Sequence, residues 1–396
     1  MEDTLIIDLK LSESVKTRPF NKHWQFCVGS CHASLAARSD YARQLKHIHD
    51  ELGIEYVRFH GIFCDDMHTI SDFTDVLPIP GGERFREVDF YRCGLAYDNV
   101  LASGMKPFVE LSFMPSTLAK NPKHGKAFYG SNFSTPRDYD EWRGYIQAFV
   151  RYLLNRYGKE EIESWYFEVW NEPDLQGMFF KGTMNDYFKL YDVTARAIKD
   201  VNSNLRVGGP ATSGSKWIKS FVDHCEKNRV PVDFVSTHQY AGDPFQGISD
   251  CGGPESDVDE IPSEQPDMSA FAAAAQMFSQ LQQTMPLLDV IRTMFGDPTE
   301  TKEIPNDTFR RNAAIVKRQA DGIPLFYTEW NLDSTFGAES NDTRKVAAYL
   351  VKAALDIEQS VTGSSVWCFS DIFEELHQFT REFHGGYGLQ TVNGIP

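Results

Sequence analysis

The sequence predicts a (β/α)8 TIM barrel whose last helix is missing. Short apolar runs alternate with longer amphipathic stretches along nearly all of the 396 residues, a pattern typical of strands joined by helical crossovers. A doubly wound open sheet has the same alternation, but no glycine-rich phosphate loop follows the first run. After the eighth run the chain reads on to GLQTVNGIP without another amphipathic stretch, so we expect no eighth helix there.

Eight runs have the length and apolar character of buried parallel strands. In chain order they are FCVGS (26–30), IEYVRF (54–59), KPFVELSF (106–113), SWYFEVW (164–170), LRVGG (205–209), DFVSTH (233–238), PLFYTE (324–329) and SSVWCFS (364–370). Each run after the first is reached through a stretch that is long enough for a crossover helix. We expect the eight strands to close into one barrel domain over residues 21–396.

Three connecting stretches, at 40–53, 139–158 and 186–201, have clear helical periodicity. The first two end at a glycine, a common helix terminator. The segment 239–323, which precedes the seventh strand, is unusually long. It contains a polar, proline-containing stretch and at least one predicted helix, near 268–293. Loops of this length in a compact domain are usually functional or mobile.

Composition and charge exclude several classes of function. The formal net charge is -17, which disfavours binding to nucleic acid and to anionic membranes, because phosphate groups are bound by Lys and Arg. The N-terminus lacks the pattern of a signal peptide, and no apolar run approaches the ~20 residues of a membrane-spanning helix. The seven cysteines are scattered and odd in number, which favours reduced thiols and a cytoplasmic location. A homo-oligomer is compatible with the sequence, which does not decide the oligomeric state.

Two glutamates end predicted strands on opposite sides of the barrel. Catalytic groups of such barrels lie at the C-terminal ends of the strands, and the fourth strand ends on Asn171 and Glu172, while the seventh ends on Glu329. One such glutamate alone is more often a helix cap than a catalyst. Two that face one pocket are the apparatus of glycoside hydrolysis, in which one carboxyl donates a proton and the other assists attack at the sugar. Their separation decides between retention and inversion, and the sequence leaves that choice open.

Other polar and aromatic residues lie at the same end of the barrel. Asn171 is placed to hydrogen-bond a sugar hydroxyl beside the reacting carbon, and Phe113 and Trp367 are placed to stack on the apolar face of a sugar. Each aromatic is equally well explained as a core side chain, and His60 and His238 alone are better explained as structural histidines. A metal hydrolase is the alternative, because histidines and aspartates follow the second strand, but the sequence has neither an HxH pair on its first strand nor an HExxH motif. We therefore expect no metal.

An ordered set of motifs resembles a known family. WYFEVWNEPD, RVGGPATSG, PVDFVSTHQY, FYTEWN, VWCFSDIFEE and FHGGYGL are together similar to the catalytic barrel of glycoside hydrolase family 39, in particular its β-xylosidases. The resemblance implies a retaining mechanism with Glu172 as acid/base and Glu329 as nucleophile, acting on a xyloside or xylo-oligosaccharide. It also implies sugar contacts, from His60, Phe113, Asn171, His238, Tyr240, Trp367, Glu374 and Glu375. It implies neither a metal nor an organic cofactor.

The chain also departs from the β-xylosidases of that family. They continue with a final helix and a C-terminal β-sandwich domain that we do not find here. Residues 1–20 are expected to be an N-terminal extension, in which TLIIDLKL is one strand of such an accessory sandwich. Met178 stands where the β-xylosidases have an aromatic residue. The α-L-iduronidases of the same family bind an anion through basic residues after the strand-six histidine, whereas this chain has HQYAGDP there, which favours a neutral sugar. Arabinosidase, glucosidase or galactosidase activity, or an inactive carbohydrate-binding barrel, are the alternatives.

Overall fold

Eight parallel strands form a closed barrel in the computed structural model. The structure describes residues 18–72, 86–122, 131–176, 178–243, 245–247, 307–334, 339–373 and 386–396. The barrel strands are β1 (Cys27–His32), β2 (Tyr56–His60), β3 (Lys106–Leu111), β4 (Tyr166–Val169), β5 (Arg206–Thr212), β6 (Phe234–Tyr240), β7 (Leu325–Asn331) and β8 (Gly363–Val366). Each pairs with its neighbours in the chain, and β8 closes the ring by pairing with β1. All eight predicted strands and the predicted barrel are therefore confirmed.

The helices surround the barrel and connect its strands. They are α1 (Ser39–Leu52), α2 (Tyr91–Ala102), α3 (Tyr139–Tyr157), α4 (Lys159–Glu163), α5 (Met184–Val201), α6 (Ile218–Asn228), α7 (Thr308–Gln319) and α8 (Arg344–Ile357). The three predicted helices are confirmed as α1, α3 and α5. Gly53 ends α1 in the left-handed conformation, with φ 68°, as the sequence predicts. Asp138 begins α3 by accepting hydrogen bonds from two backbone amides of its first turn.

The interior of the barrel changes character along its axis. At the N-terminal ends of the strands, six aromatic side chains pack against one another and form what we call the aromatic plug: Phe26, Tyr56, Phe108, Tyr166, Phe234 and Phe326. Because side chains alternate along a strand, the residue two positions after a plug residue also faces inward. Three of those six positions carry a charged residue, Arg58, Glu110 or Glu168, and all three are buried. The barrel is thus apolar at one end and charged in the middle.

Among the described residues, no helix follows β8, as predicted. An apolar groove of about 630 Å³ runs between α1 and α8 over β1 and β8, where a barrel of this class has the helix after its last strand. Leu52, Val351 and Leu355 lie along it and are 42%, 66% and 54% exposed. Residues 387–390 instead pair with the segment 368–371, which closely follows β8, through hydrogen bonds of Tyr387 and Leu389 with Cys368.

Two short antiparallel strands, Ile70–Asp72 and Arg86–Val88, form a small second sheet that the sequence analysis did not predict. Several predictions concern residues outside the described ranges: the accessory strand within 1–20, which is described only from residue 18, the helix near 268–293, and the side chains of Glu374 and Glu375. In the described part of the chain, no helix combines the length and the apolar character that crossing a membrane requires. The cytoplasmic location stays a prediction.

Candidate active site

The turn after β4 directs Glu172 into the mouth of the barrel. Trp170 and Glu172 have left-handed backbone conformations, with φ 74° and 42°, which cost free energy in residues that carry a side chain. The turn is held by the neighbouring strand, because the backbone amide of Glu172 donates to the carbonyl of Ala211 over 2.9 Å. Ala211 itself has a φ of 53°. Strain concentrated at one point of the mouth is a common feature of active sites.

Glu172 and Glu329 face each other across this mouth. One carboxylate oxygen of each, together with a ring nitrogen of His238, lie within 4.8 Å of one another. His238 is the register partner of Glu329 on the adjacent strand, which fixes their relative positions. Both carboxylates are largely buried, each residue being 7% exposed. The structure thus brings together the two glutamates that the sequence analysis selected from strands β4 and β7.

Glu172 lies in surroundings that favour its protonated form. Burial raises the pKa of Glu172 to about 7, although the positive charges of His60 and Arg58 act in the opposite direction. Its nearest polar partner is His238, whose Nδ1 lies 3.0 Å from Glu172 Oε1. Burial lowers the pKa of His238 to about 4, so this imidazole is neutral near pH 7. A carboxyl group that keeps its proton near neutral pH can act as a general acid.

Glu329 has hydrogen-bond donors on both carboxylate oxygens. The hydroxyl of Tyr240 donates to Oε1 over 2.6 Å, and burial raises the pKa of that hydroxyl, which therefore stays a donor. Oε2 lies 3.4 Å from Nη1 of Arg58 and 4.0 Å from Nε2 of His60. The two glutamates of the mouth therefore differ: one is buried beside a neutral imidazole and the other is surrounded by donors.

Arg58 connects this pair to the charged middle of the barrel, and the sequence analysis missed it. Its Nε lies 2.6 Å from Glu168 Oε2, and its Nη2 lies 2.8 Å from Glu110 Oε2. Nη2 also donates to Asn171 Oδ1 over 3.0 Å. Because that oxygen is held from below, the amide nitrogen of Asn171 is left to donate elsewhere. One buried guanidinium thus orients both Asn171 and Glu329.

Aromatic side chains form one wall of the mouth. The ring of Trp367 lies 4.8 Å from the ring of His60, at an angle of 33°. Phe113 is completely buried, and its ring lies 6.4 Å from that of His60. Phe179 stacks on Phe113 with a centroid distance of 6.0 Å, whereas Met178 is 39% exposed. Of the residues beside Met178, Phe179 is the one that reaches this wall.

Asp174, the last residue of the NEPD motif, links the loops after β4 and β5. Its Oδ1 accepts from the backbone amide of Ser213 over 2.8 Å, and its Oδ2 lies 3.3 Å from Lys216 Nζ. Burial raises the pKa of Asp174 to about 7, and the charge of Glu172 acts in the same direction. The contacts of Asp174 therefore support the strained turn that carries Glu172.

The atoms of Glu172, His238 and Glu329 that approach within 4.8 Å are also of the type and spacing that could hold a metal ion. A nearby positive charge disfavours a cation there, because Nη1 of the Arg58 guanidinium lies 3.4 Å from Glu329 Oε2. The expected absence of a metal and of a cofactor stays a prediction, and insensitivity of the activity to a chelator is its test.

Six of the ten predicted site residues lie in direct or ring contact with one another in the mouth: Glu172, Glu329, His60, His238, Tyr240 and Trp367. Asn171 is connected to them through Arg58. Phe113 packs against this group, and Glu374 and Glu375 lie outside the described residues. The missed residues, Arg58, Glu110 and Glu168, interrupt apolar strand sequences. A charge inside a buried apolar strand, close to its C-terminal end, points to a polar layer beneath the mouth.

Comparison with known proteins agrees with this geometry. The chain matches the model of "Glycosyl hydrolases family 39" over residues 7–265 and 297–396. A β-xylosidase from Caldicellulosiruptor saccharolyticus is 38% identical over 397 residues, which are 100% of this chain and 70% of that relative. A β-xylosidase from Geobacillus stearothermophilus is 33% identical over 380 residues, 95% of this chain and 66% of the relative.

Solved structures give the same result. A GH39 β-xylosidase from Caulobacter crescentus superposes with a TM-score of 0.71 at 32% sequence identity, covering 96% of this chain and 70% of that chain. Residues 266–296, which the family model leaves unmatched, lie within the long segment before β7 that the sequence analysis singled out. The similarity otherwise extends over the barrel and its mouth.

Proposed function

The chain belongs to glycosyl hydrolase family 39, and from that premise we propose that it is a retaining, exo-acting β-xylosidase. Glu172 is the general acid and base, and Glu329 is the nucleophile. The substrate is a β-linked xyloside or a xylo-oligosaccharide. The observation that carries this proposal is the pair of carboxylates at the ends of β4 and β7, one buried beside a neutral imidazole and the other hydrogen-bonded by Tyr240 and Arg58.

The short distance between the two carboxylates supports retention. Retaining enzymes place their carboxyl groups roughly 5–5.5 Å apart, whereas inverting enzymes need ~6.5–9.5 Å to admit a water molecule. Here one oxygen of Glu172 and one of Glu329 lie within 4.8 Å of each other. That spacing suits a nucleophile that attacks the sugar directly.

In the first step, a carboxylate oxygen of Glu329 attacks the anomeric carbon while the bond to the leaving oxygen breaks. Glu172, protonated near neutral pH because burial raises its pKa to about 7, donates its proton to that oxygen. Tyr240 hydrogen-bonds Glu329 Oε1 and so orients the carboxylate for the attack. The product is a glycosyl ester on Glu329 and a released alcohol.

In the second step, water attacks the same anomeric carbon from the face that the alcohol left. Glu172, now ionised, removes a proton from this water and returns to its starting form. The bond between the sugar and Glu329 breaks, and the carboxylate is again stabilised by Tyr240 and Arg58. Two inversions at one carbon give net retention.

Asn171, His60 and Trp367 are placed to bind the sugar. The oxygen of the Asn171 amide is held by Arg58, so its NH₂ group faces the pocket as a donor for a hydroxyl beside the reacting carbon. Trp367 offers an aromatic face beside His60. Glu374 and Glu375 keep their proposed role as acceptors for further hydroxyls.

A neutral sugar fits the mouth better than a uronate does. Recognition of a carboxylate favours Arg or Lys in the pocket, and the stretch after His238 reads QYAGDP. Arg58, the guanidinium beneath the mouth, is already paired with Glu110 and Glu168. Xylose and a hexose differ by one exocyclic CH₂OH, a difference worth only ~1–3 kcal/mol in a pocket, so the sugar itself is decided by measurement.

A panel of aryl glycosides tests the substrate. We expect the aryl β-xyloside to give the highest kcat/KM, and the β-glucoside, β-galactoside, α-arabinoside and α-iduronide to be slower. Faster turnover of another member would replace xylose by that sugar. Proton NMR of the first-formed xylose tests the mechanism separately, and we expect the β anomer. Early α-xylose would exclude retention.

Glu329→Ala should reduce kcat by about 10⁵-fold, because loss of a covalent nucleophile removes most of the catalytic power of a site. Azide added to this variant should enter the space of the lost carboxylate and yield an α-xylosyl azide. Glu172→Ala should instead yield the β-xylosyl azide, because azide then attacks the ester on Glu329. Glu160→Ala, at an exposed glutamate of α4, is the matched control and should be as active as the wild type. If the wild type binds xylose but shows no turnover that is lost in Glu329→Ala, the chain is a carbohydrate-binding barrel instead.

A further inference from the structure

His60 lies between carboxylates from two different strands. Its Nδ1 is 2.7 Å from Glu110 Oε2, and its Nε2 is 4.0 Å from Glu329 Oε2. A neutral imidazole has one protonated and one unprotonated nitrogen, so it would direct a lone pair at one of these two anions. The doubly protonated ring is the form in which both nitrogens present a hydrogen toward a carboxylate.

Glu110 lies one layer deeper than the two catalytic glutamates. It is 1% exposed, and it is the register partner of Glu168 on β4. Its Oε2 also lies 2.8 Å from Arg58 Nη2, and its Oε1 accepts a hydrogen bond from Ser112 Oγ. Contacts on both oxygens fix the carboxylate in place, so Glu110 can set the orientation of the ring of His60.

We propose that Glu110 is a positioning residue that holds His60 as an imidazolium, with Nδ1–H donated to Glu110 and Nε2–H offered to Glu329 and to the sugar. The consequence for catalysis depends on the function proposed above; the protonation state does not. In the free enzyme the imidazolium stabilises the anionic nucleophile by its charge. In the complex it is a charged hydrogen-bond donor, which is stronger than a neutral one.

The charges around His60 support this state. Among the described residues, those that act on it electrostatically come from β2, β3, the end of β4, β6 and β7: Arg58, Glu110, Glu172, His238 and Glu329. Burial lowers the pKa of His60, but the carboxylate of Glu110 outweighs burial and raises the pKa to about 9. Arg58 opposes Glu110, and Glu329 adds to it.

His238 provides a comparison within the same pocket. It is as deeply buried as His60, yet burial lowers its pKa to about 4. Its Nδ1 faces Glu172 over 3.0 Å, but Glu172 itself is protonated near pH 7, and its Nε2 has no hydrogen-bond partner among the described residues. His238 Nδ1 also lies 3.7 Å from Glu329 Oε2, and this carboxylate opposes the effect of burial without outweighing it. The two histidines differ because only His60 has, in addition, a fully buried carboxylate at 2.7 Å, that of Glu110.

Nitrogen NMR of the histidine rings tests the proposal without any substrate. The protein, labelled with ¹⁵N in its 11 histidines, is titrated from pH 6 to 10, and His60 is assigned by the signal that disappears in His60→Asn. We expect both nitrogens of His60 to show the imidazolium shift up to pH 8, with a midpoint near 9. A midpoint near the ordinary value of ~6.5 in the wild type would overturn the proposal. In Glu110→Gln, which keeps the size of the side chain and removes its charge, the midpoint should fall by at least about one pH unit, and an unchanged midpoint would also overturn it.

Activity measurements then show whether Glu110 acts through His60. We expect Glu110→Gln to lower kcat/KM for the aryl glycoside about 10- to 100-fold, as loss of a histidine's outer partner does in other sites. In the His60→Asn background the same change should cost less than about threefold, because the residue through which it acts is gone. Equal losses in both backgrounds would show that Glu110 acts through Arg58 or through folding, and would refute the role. Glu55→Gln, at an exposed glutamate just before β2, is the control. If no glycoside is turned over, the proposed function fails while the titration still decides the state of His60.

Discussion

The two ends of the barrel interior are built from the same strands on opposite principles. At the N-terminal end, the aromatic plug consists of six rings in mutual contact, with Phe326 lying 4.6 Å from Phe26 and 5.5 Å from Phe234. At the C-terminal end, Arg58 lies in contact with carboxylates from β3, β4 and β7. The plug stabilises the folded state by removing apolar surface from water. The mouth buries charges, each of which needs a partner to offset its desolvation.

This difference separates stability from function along one axis. Buried ion pairs add little net stability compared with apolar groups of the same size. We therefore explain the charged layer around Arg58 by the active-site residues that it positions, and not by a contribution to the stability of the fold. It holds Asn171, Glu329 and, through Glu110, His60. Substitutions in the plug should therefore alter the free energy of unfolding alone, and substitutions in the mouth should alter catalysis first.

Arg58→Leu should have the largest effect, because it acts on both quantities. It leaves Glu110 and Glu168 buried without their cation, which costs about 3–5 kcal/mol of unfolding free energy. It also releases Asn171 and Glu329, and we expect kcat/KM to fall about 10²- to 10³-fold at a temperature where the variant is folded. Urea unfolding and steady-state kinetics measure the two effects. Arg151→Leu, at an exposed arginine of α3, should change neither, and wild-type kinetics in Arg58→Leu would contradict the role of the charged layer.

Phe326→Ala tests the opposite end of the barrel. Phe326 is 2% exposed and contacts several other rings of the plug, so its truncation leaves a cavity that should cost about 3–5 kcal/mol. We expect kcat/KM to stay within about threefold of wild type where the protein is folded, because the mouth keeps its geometry. Tyr91→Ala, at a tyrosine that is 56% exposed, is the matched control for stability. A loss of activity in Phe326→Ala larger than its loss of stability explains would show that the two ends are coupled.

The sequence predicts most of the fold, because each strand and helix has a recognisable pattern of apolar residues within its own short segment. Each barrel strand is a short apolar run, and each one except β8 is followed by a helical stretch, so the pattern of apolar residues locates these elements. The small sheet of Ile70–Asp72 and Arg86–Val88 escaped prediction because strands of three residues carry little pattern. The left-handed conformation of Trp170 and Ala211 was equally out of reach, since neither residue type favours it and only contacts between β4 and β5 impose it.

The site residues at the strand ends were predictable from the sequence, whereas those in the layer beneath the mouth were not. Glu172 and Glu329 end their strands, so the general geometry of barrels selects them. Arg58 and Glu110 lie inside apolar runs, and their partnership depends on the stagger between β2 and β3, which the sequence does not state. The alternation of side chains could have placed both of them inward. Their pairing needed the structure.

The pH dependence of kcat/KM should be set by the mouth and not by the plug, and its effect on activity is smaller than that of the substitutions above. Glu172 must be protonated to donate, and burial raises its pKa to about 7, so activity should be lost as pH rises through 7, by about tenfold per pH unit. A substrate with a dinitrophenolate leaving group needs no proton, and its profile should stay flat in this range. Phe326→Ala should keep the wild-type profile. A basic limb that persists with dinitrophenolate would show that another group titrates there.

Gly29→Ala should have the smallest effect and sharpens the boundary of the mouth. Gly29 lies on β1 beneath Trp367, and a Cβ there would stand 2.7 Å from Cε3 of that ring, so the ring must shift away from its position beside His60. We expect kcat/KM to fall about tenfold, since a misplaced contact group of an active site costs up to about 10²-fold per ångström. Gly144→Ala in α3, where a Cβ meets no atom within 4 Å, is the matched control and should retain wild-type kinetics. Because the added methyl group changes neither charge nor hydrogen bonding, an effect in Gly29→Ala alone would locate the sugar on the Trp367 side of the two glutamates, and identical kinetics in both variants would remove Trp367 from the sugar site.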